Sequence, residues 1–335
     1  MTSAIAYFLE APGSVKPRTV ELDTLPSEWV RVRFLYCGLC GTDLSAYEGR
    51  QEITYPLAIG HEFVAEVLAV GDAVTAIAPG DVVTSDLNYR CGVCDQCAAR
   101  RSHLCRDGAI GLFSNRGFAD QGDLHERYLV RVDGPASRQV AMAEPLSCVL
   151  HAKEWADVQD GERVLVIGAG SMGFCLAFAL CFDGRGHPFD ITDTDADRLT
   201  LVARAAAPIG TAVDRPDREY DVVFDVSGSE SGLHAACDHV RPGGRLCTLS
   251  HLGGYSTADF LLEAITYNDI TFKVSFLNGE LETLRTAARL LAERWTPAWD
   301  AAVEVVPLED LQQAYERRRG SPWCKTLVRV APEAP

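Results

Sequence analysis

The chain has 335 residues, 47% of them hydrophobic, which is enough material to bury the cores of two domains. It carries 31 basic and 47 acidic residues, a formal net charge of −16 that repels phosphate backbones and anionic lipid, so we expect neither nucleic acid nor a membrane as a partner. No secretory leader pattern is present, and the longest apolar stretch, residues 174 to 182, is about half of a membrane span. We therefore expect a cytoplasmic protein.

Short apolar runs, broken by Gly, Pro and Asp, dominate the first 150 residues. Within the runs, apolar and polar residues alternate or nearly alternate, which is the period of a strand with one buried face. This part of the chain therefore predicts a β-rich domain. The runs are WVRVRFLY, EFVAEVLAV, DVVTSD and ERYLVRV.

A cluster of four cysteines follows the third of these runs, with the spacing C-x2-C-x2-C-x7-C. In a reducing compartment cysteines are kept as thiols or thiolate ligands, and four thiolates joined by short loops match the closed tetrahedral site of a structural zinc ion. An iron–sulfur cluster takes four cysteines too, and unliganded thiols are the remaining alternative. The predicted ligands are Cys91, Cys94, Cys97 and Cys105. Nearby arginines, Arg100, Arg101 and Arg106, can offset the negative charge of a zinc tetrathiolate.

From about residue 160, strand and helix patterns alternate, which predicts a parallel, doubly wound sheet. The stretch VLVIGAGSMG places Gly168, Gly170 and Gly173 in a G-x-G-x-x-G motif between a strand and a helix, the context of a dinucleotide site. Asp193 lies 20 residues beyond the last glycine, where a carboxylate accepts hydrogen bonds from the adenosine ribose. Because the nearest arginine, Arg198, falls in the following predicted helix, we expect NAD to be preferred over NADP.

After about residue 285 the chain returns to a helix and strands that resemble the first part. We predict a catalytic domain of residues 1–150 and 286–335, with the dinucleotide-binding domain of residues 151–285 inserted into it. The stretch ITFKVSFL, residues 270–277, is typical of a last strand with one free edge. Such an edge predicts pairing with its own copy, and hence a homodimer or a homotetramer.

Hydride transfer to a nicotinamide requires a group that polarises an alcohol or a carbonyl. Cys40 and the pair His61 and Glu62 lie in separate turns that border apolar strands. Cysteine, histidine and carboxylate are the mixed ligand types of a catalytic zinc ion, so these residues are the candidate metal site of the first domain. Of the other histidines, His151 and His251 are candidates for the cleft.

The motifs GLCGTD, GHE, the four-cysteine segment and VLVIGAGSMG occur in the order, and at about the spacing, of one known family. The chain resembles the zinc-dependent medium-chain dehydrogenase/reductase family over essentially its whole length. The resemblance implies an α/β protein with a β-rich GroES-like catalytic domain and a doubly wound Rossmann domain. It further implies two zinc ions per chain and NAD as cofactors.

The same resemblance implies roles for particular residues. Cys40 and His61 match the first two ligands of the catalytic zinc ion, and either Glu62 or Glu144 completes the protein ligands. Glu144, in MAEPLSCVLHA, matches the carboxylate of the polyol and sorbitol dehydrogenase branch, whereas alcohol dehydrogenases of the liver type have cysteine there. This match favours polyols, cyclitols and amino-alcohols as substrates.

Thr42 matches the hydroxyl that relays the alcohol proton, and Asp43 matches the carboxylate that orients the histidine ligand. Ser45 departs from the family, since many relatives have a histidine there. The implied reaction is hydride transfer between a secondary alcohol, or the corresponding ketone, and NAD. The alternatives are a zinc-free enoyl or quinone reductase of the same fold and a non-catalytic relative; the presence of every candidate ligand argues against both.

Overall fold

The computed structural model describes residues 2–110, 116–134, 136–182, 184, 186–217, 219–250, 258–275 and 277–331. The strands are β1 (Thr2–Ala11), β2 (Ser14–Leu22), β3 (Trp29–Gly38), β4 (Leu57–Ala58), β5 (Glu62–Val70), β6 (Val82–Ser85), β7 (Asn88–Tyr89), β8 (Ala109–Ile110), β9 (Gln121–His125), β10 (Leu129–Arg131), β11 (Val164–Ile167), β12 (Phe189–Thr192), β13 (Gly210–Ala212), β14 (Tyr220–Asp225), β15 (Val240–Thr248), β16 (Thr271–Val274), β17 (Val303–Pro307) and β18 (Lys325–Arg329). The helices are α1 (Gly41–Tyr47), α2 (Asp95–Ala98), α3 (Ala143–Ala156), α4 (Ser171–Phe182), α5 (Ala196–Ala206), α6 (Glu230–His239), α7 (Ala258–Asn268), α8 (Leu281–Arg294), α9 (Pro297–Asp300) and α10 (Leu311–Arg317).

The largest sheet joins the two ends of the chain. Its strand order is β10-β6-β5-β3-β18-β17, and β9 pairs with β3 off this path. Strand β3 is antiparallel to β5 and to β18, so the C-terminal β18 lies directly beside the strand that precedes Cys40. The C-terminal strands therefore complete the sheet begun by the N-terminal part, while the domain limits at residues 150 and 286 stay a prediction.

The second large sheet is entirely parallel, with the order β13-β12-β11-β14-β15-β16. Counted from β11, this is the doubly wound order 3-2-1-4-5-6, in which a dinucleotide binds beyond the carboxyl ends of the first strands. All four residues of β11 are buried, as expected for a strand covered on both faces. The β-rich sheet and the parallel sheet together confirm the predicted fold class.

Helix α4 shows how the parallel sheet is covered. It has 12 residues and is apolar on all sides, because it packs against β11, against helices α3 and α5, and against Trp299 from the C-terminal part of the chain. Phe174 and Phe178 contact the buried Trp299 edge-on, with ring centroids 5.3 Å and 5.1 Å apart. None of the described helices combines the length and the apolar character that crossing a membrane requires.

Candidate metal and nucleotide sites

Cys40, His61 and Glu62 form the first candidate metal site. Their ligand atoms all lie within 4.8 Å of one another. Antiparallel pairing of β3 with β5 brings them together, because it sets Glu62 opposite Gly38, two residues before Cys40. Cys40 then caps the N-terminus of α1, where its Sγ accepts a hydrogen bond from the Thr42 amide at 3.4 Å. The sheet register therefore brings Cys40 together with His61 and Glu62, which lie 21 and 22 positions later in the sequence.

A buried lysine lies beside this site and contacts Glu62, and sequence analysis missed it. Lys325, the first residue of β18, is fully buried and donates hydrogen bonds to the Glu62 carboxylate and, at 3.1 Å, to the Leu39 carbonyl. Burial alone would lower the pKa of Lys325, but the charges of Glu62 and Cys40, together with the hydrogen bond to Glu62, outweigh burial and raise that pKa. A Cβ at Gly38 would collide with the Glu62 carboxylate. The sequence held no signal for this lysine, because β18 also contains Thr326 and Arg329 and its pattern does not mark Lys325 as buried.

The imidazole of His61 is held next to Asp43. The His61 Nδ1 and the Asp43 Oδ1 are 3.5 Å apart, and both side chains are buried. Burial lowers the pKa of His61, but the Asp43 and Cys40 charges reverse this and raise it well above its usual range. Burial raises the pKa of Asp43 to about 6. Neither His61 ring nitrogen has a hydrogen-bond partner among the described residues, so the donor set fits a bound cation such as zinc.

Glu144 lies in the first turn of α3, outside the set of ligand atoms within 4.8 Å. It is nevertheless close enough to interact electrostatically with His61 and Glu62. Burial raises the pKa of Glu144 to about 7, and the thiol of Cys148, one helical turn later, donates to its Oε1 at 3.4 Å. Of the two carboxylates predicted as the third ligand, Glu62 is therefore the one within ligand distance of both Cys40 and His61.

The four-cysteine segment forms the second candidate metal site, and its ligand atoms lie within 4.8 Å of one another. The sulfur of Cys105 lies 3.5 Å from that of Cys91 and 3.9 Å from that of Cys94, while those of Cys91 and Cys97 are 4.0 Å apart. A tetrahedral ion with Zn–S bonds of ~2.3 Å separates its sulfurs by about 3.8 Å, so the spacing fits zinc.

Backbone amides surround these sulfurs. Cys91 Sγ accepts from the amides of Val93 at 3.4 Å and Cys94 at 3.3 Å, and the Cys91 amide donates to Cys105 Sγ at 3.3 Å. Amides of Cys97 and Arg106 lower the pKa of the Cys94 thiol. The Arg106 guanidinium pairs with Asp95 at 2.8 Å, so it is the main chain of Arg106 that acts directly on the sulfurs.

The glycine motif forms the turn from β11 into α4. Gly168 has a φ of 112°, a conformation that side chains rarely adopt, and a Cβ on it would lie 2.9 Å from the Ser227 main chain. A Cβ on Gly173 would collide with the Gly168 carbonyl. At Gly170 the nearest atom to an added Cβ is the Arg198 Nη1, at 3.8 Å, so the main chain there is open to a ligand. The turn has the form that a dinucleotide diphosphate requires.

Asp193 directly follows β12, beside this turn. Its Oδ2 accepts a hydrogen bond from the Ala169 amide at 2.5 Å, and its Oδ1 accepts one from the Asp195 amide at 2.7 Å. Asp195 caps α5 and pairs with the Nε of Arg198 at 3.0 Å. The structure thus brings Asp193 and the glycine motif together, and it sets the Arg198 guanidinium closer to the motif than its position in a helix suggested.

The other residues considered in the sequence analysis lie outside the two candidate metal sites. Cys37 is buried and outside the metal-ligand set, as expected of a small apolar side chain. The ring of His151 lies beside that of His103, with centroids 4.6 Å apart and planes tilted by 58°, and burial lowers the pKa of His151 to about 4. His251 lies outside the described residues. The predicted last strand, residues 270–277, is observed as β16, and its Phe276 also lies outside the described residues.

Comparisons with known proteins agree with this geometry. Residues 26–134 match the alcohol dehydrogenase GroES-like domain. An L-threonine 3-dehydrogenase of Saccharopolyspora erythraea is 32% identical over 261 residues, which are 71% of this chain and 74% of that protein. A sorbitol dehydrogenase of Halalkalibacterium halodurans is 27% identical over 319 residues, 89% of this chain and 91% of that protein.

Solved structures share the whole architecture. A candidate zinc-binding dehydrogenase from Sinorhizobium meliloti 1021, bound to NADP, is 26% identical, with a TM-score of 0.85 over 98% of this chain and 100% of that chain. The motifs, the two candidate metal sites and the level of identity to the curated relatives lead to one conclusion. The chain belongs to the zinc-dependent medium-chain dehydrogenase/reductase family.

Proposed function

We propose that the protein oxidises a secondary alcohol of the polyol, cyclitol or amino-alcohol type, or reduces the corresponding ketone, with NAD as the hydride carrier. The chain is an oxidoreductase that uses zinc and a nicotinamide dinucleotide. One observation carries the proposal: two adjacent residues connect the metal site and the nucleotide site. Lys325 donates to Glu62, and the carbonyl of Cys324 accepts from the hydroxyl of Ser171 at 3.1 Å.

We propose that Cys40, His61 and Glu62 hold the catalytic zinc ion, with Glu144 beside them, and that the four-cysteine segment holds a structural one. When bound, the catalytic ion supplies a Lewis acid for the substrate oxygen and the nicotinamide supplies the hydride acceptor. Asp43, whose carboxylate lies 3.5 Å from the His61 Nδ1, would help to orient that ring for metal binding, as carboxylates do for histidine ligands elsewhere.

The proton of the substrate alcohol needs an acceptor, and the surroundings of Thr42 fit this role. Its main chain is anchored on both sides, by the Cys40 thiol and by Gln51, whose Nε2 donates to the Thr42 carbonyl at 3.2 Å. Thr42 is half-buried and directly follows the first residue of α1 after Cys40. We propose that the Thr42 hydroxyl accepts the alcohol proton and passes it outward past Ser45.

A panel of polyols, cyclitols, amino-alcohols and simple secondary alcohols, followed by NADH absorbance, tests the reaction. We expect turnover with at least one vicinal diol or amino-alcohol. A chelator that removes zinc should abolish this turnover. Turnover that occurs only with enones or quinones, or that survives complete removal of zinc, would favour the zinc-free reductase instead.

We propose that Asp193 makes NAD the preferred cofactor, because its carboxylate would repel a 2′-phosphate on the ribose. Replacing Asp193 by Ala should raise the catalytic efficiency with NADP relative to NAD by about tenfold or more, which corresponds to about 1.4 kcal/mol. Asp197, exposed two residues into α5, provides the matched control, since its removal changes the local charge equally. Equal use of NAD and NADP by the wild type would contradict the proposal.

We propose a homodimer, or a homotetramer built from it, in which β16 pairs with its copy. Strand β16 ends the parallel sheet, with β15 on one side and no described strand on the other. Val274 on β16 is 42% exposed and Tyr267 on α7 is 81% exposed. Leu68, which is 39% exposed on β5 of the other large sheet, provides the matched control. Light scattering at micromolar concentration should give a dimer or tetramer for the wild type and for Leu68→Lys, and a monomer for Val274→Lys. A monomeric wild type would exclude this assembly.

We propose the cytoplasm as the compartment. All twelve cysteines are free in the structure, including the four whose sulfurs lie close enough to share an ion. Thiolate ligands persist in reducing compartments. Fractionation of cells that express the protein at its native level tests this expectation, and recovery in a membrane or secreted fraction would contradict it.

A further inference from the structure

An arginine that sequence analysis did not single out lies at the nucleotide turn. Arg318 begins the 3-10 turn Arg318–Gly320 that follows α10. Its Nη2 donates to the Ser171 hydroxyl at 3.2 Å and to the Cys324 carbonyl at 2.9 Å, and its Nη1 donates to the Trp323 carbonyl at 3.0 Å. Each of these acceptors is neutral, so the positive charge of Arg318 is not balanced by the groups that it contacts.

A second guanidinium lies close to the first. Burial, and after it the charge of Arg198, lower the pKa of Arg318. Arg198 has its own carboxylate, Asp195, whereas the hydrogen-bond acceptors of Arg318 are a hydroxyl and carbonyls. The carboxylates of Glu304 and Glu62 also attract Arg318, but they are already paired with Arg317 and Lys325. A partly buried cation with neutral partners and a like charge nearby is costly, and a bound anion would remove that cost.

The position of Arg318 specifies which part of a dinucleotide supplies the anion. Its partner Ser171 is the first residue of α4 and directly follows Gly170, where the helix N-terminus receives a diphosphate. Asp193 marks the ribose side, at the end of β12, and its carboxylate bonds the Ala169 and Asp195 amides. Arg318 contacts the helix side of the turn, so a ligand on this turn would present its diphosphate, and not its ribose, to Arg318.

We infer that Arg318 is a cofactor-binding residue that pairs with the diphosphate of the bound dinucleotide. The inference rests on the proposed function, because it requires a dinucleotide at the glycine motif. It separates two roles: Asp193 distinguishes NAD from NADP, whereas Arg318 contributes equally to both, since both contain the same diphosphate.

Dissociation constants for NADH, NADPH, ADP and adenosine, measured by calorimetry on the zinc-loaded protein, test this role. Arg318→Gln should weaken ADP, NADH and NADPH by about tenfold or more, as expected for loss of a charge-assisted hydrogen bond, and should leave adenosine unchanged. The matched control is Arg319→Gln. Arg319 is the next residue but pairs with Glu48 on the surface, so its removal should leave all four constants unchanged.

Arg318→Lys provides a second test in case Arg318→Gln does not fold, because lysine keeps the positive charge and loses only the bidentate hydrogen-bond geometry of the guanidinium. It should weaken ADP severalfold and reduce the rise in Tm that ADP produces. Unchanged ADP binding in the Arg318 variants would overturn the inference, and equal weakening of adenosine and ADP would assign Arg318 a purely structural role. A wild type that binds neither ADP nor NADH would instead refute the proposed function.

Discussion

The molecule holds two clusters of metal-ligand side chains that are built in opposite ways. The four cysteines come from one stretch of 15 residues, 91 to 105, and are half-buried in and around the short helix α2. The mixed cluster consists of Cys40, His61 and Glu62, and its position depends on the pairing of β3 with β5 and on Lys325 of β18. Its histidine and glutamate are 1% and 2% exposed. One cluster is local and near the surface, and the other depends on the completed sheet.

This difference has energetic consequences. A short segment such as 91–105 buries little apolar surface of its own, so a zinc ion must supply much of the free energy that orders it. The mixed cluster is already ordered by strand pairing, and its buried charges shift one another's pKa values. Metal loss should therefore cost stability at the first cluster and chemistry at the second.

Replacing Cys40 by Ser gives the largest expected effect. Loss of the thiolate should displace the catalytic zinc ion and lower kcat by about a thousandfold or more, since a Lewis acid contributes several kcal/mol to such a step. NADH binding should be nearly unchanged. Cys37→Ala is the matched control, because Cys37 is buried three residues earlier and lies outside the ligand set. Rapid turnover by Cys40→Ser would remove the distinction between the clusters.

Replacing Cys94 by Ser should affect the four-cysteine cluster and lower stability, not the rate of the reaction. We expect elemental analysis to give two zinc ions per wild-type chain and one in the variant. The Tm should fall by on the order of 10 °C, because zinc binding is coupled to folding of this segment. The protein that remains folded should keep its kcat. One zinc ion or none in the wild type would show that the two clusters are not both metal sites.

Asp43→Asn sharpens the comparison from within the mixed cluster. The variant keeps the shape of Asp43 but loses the charge beside His61, so zinc affinity should fall ~10–100-fold at this cluster alone. In a chelator titration, one of the two ions should then leave at a lower chelator concentration than in the wild type. Asp95→Asn, next to the four cysteines and exposed, is the control and should shift neither ion. Loss of both ions together would mean that the clusters are coupled.

Local features are the ones that spacing in the sequence can predict. The four cysteines, the glycine motif and Asp193 depend on spacing within one segment or one strand–helix unit, and the structure places the members of each group close together. Their roles in binding zinc and the dinucleotide stay predictions. Periodicity also predicted the two kinds of sheet, because buried parallel strands and half-exposed antiparallel strands differ in their apolar pattern. Short-range signals of this kind need no knowledge of the tertiary fold.

The contacts that sequence analysis missed join distant segments. Lys325 meets Glu62 across 263 positions, and Arg318 meets Ser171 across 147. Lysine and arginine in a C-terminal segment are usually solvated, and nothing in the spacing of residues indicates that these two are buried beside the sites. The pairing of β18 with β3 brings the C-terminal segment to the metal and nucleotide sites.

Arg106→Gln should have the smallest effect, and it separates side-chain from main-chain support of the four-cysteine cluster. The Arg106 guanidinium is 68% exposed and pairs with Asp95, itself 58% exposed, so water screens it from the sulfurs. The main-chain amide of Arg106, which acts on the Cys94 sulfur, is unchanged by the substitution. The Tm should therefore shift by at most about 2 °C, and the zinc content should stay at two per chain. A tenfold loss of zinc affinity in this variant would instead show that exposed arginine side chains balance the charge of the tetrathiolate, and that the two clusters share a reliance on charged neighbours.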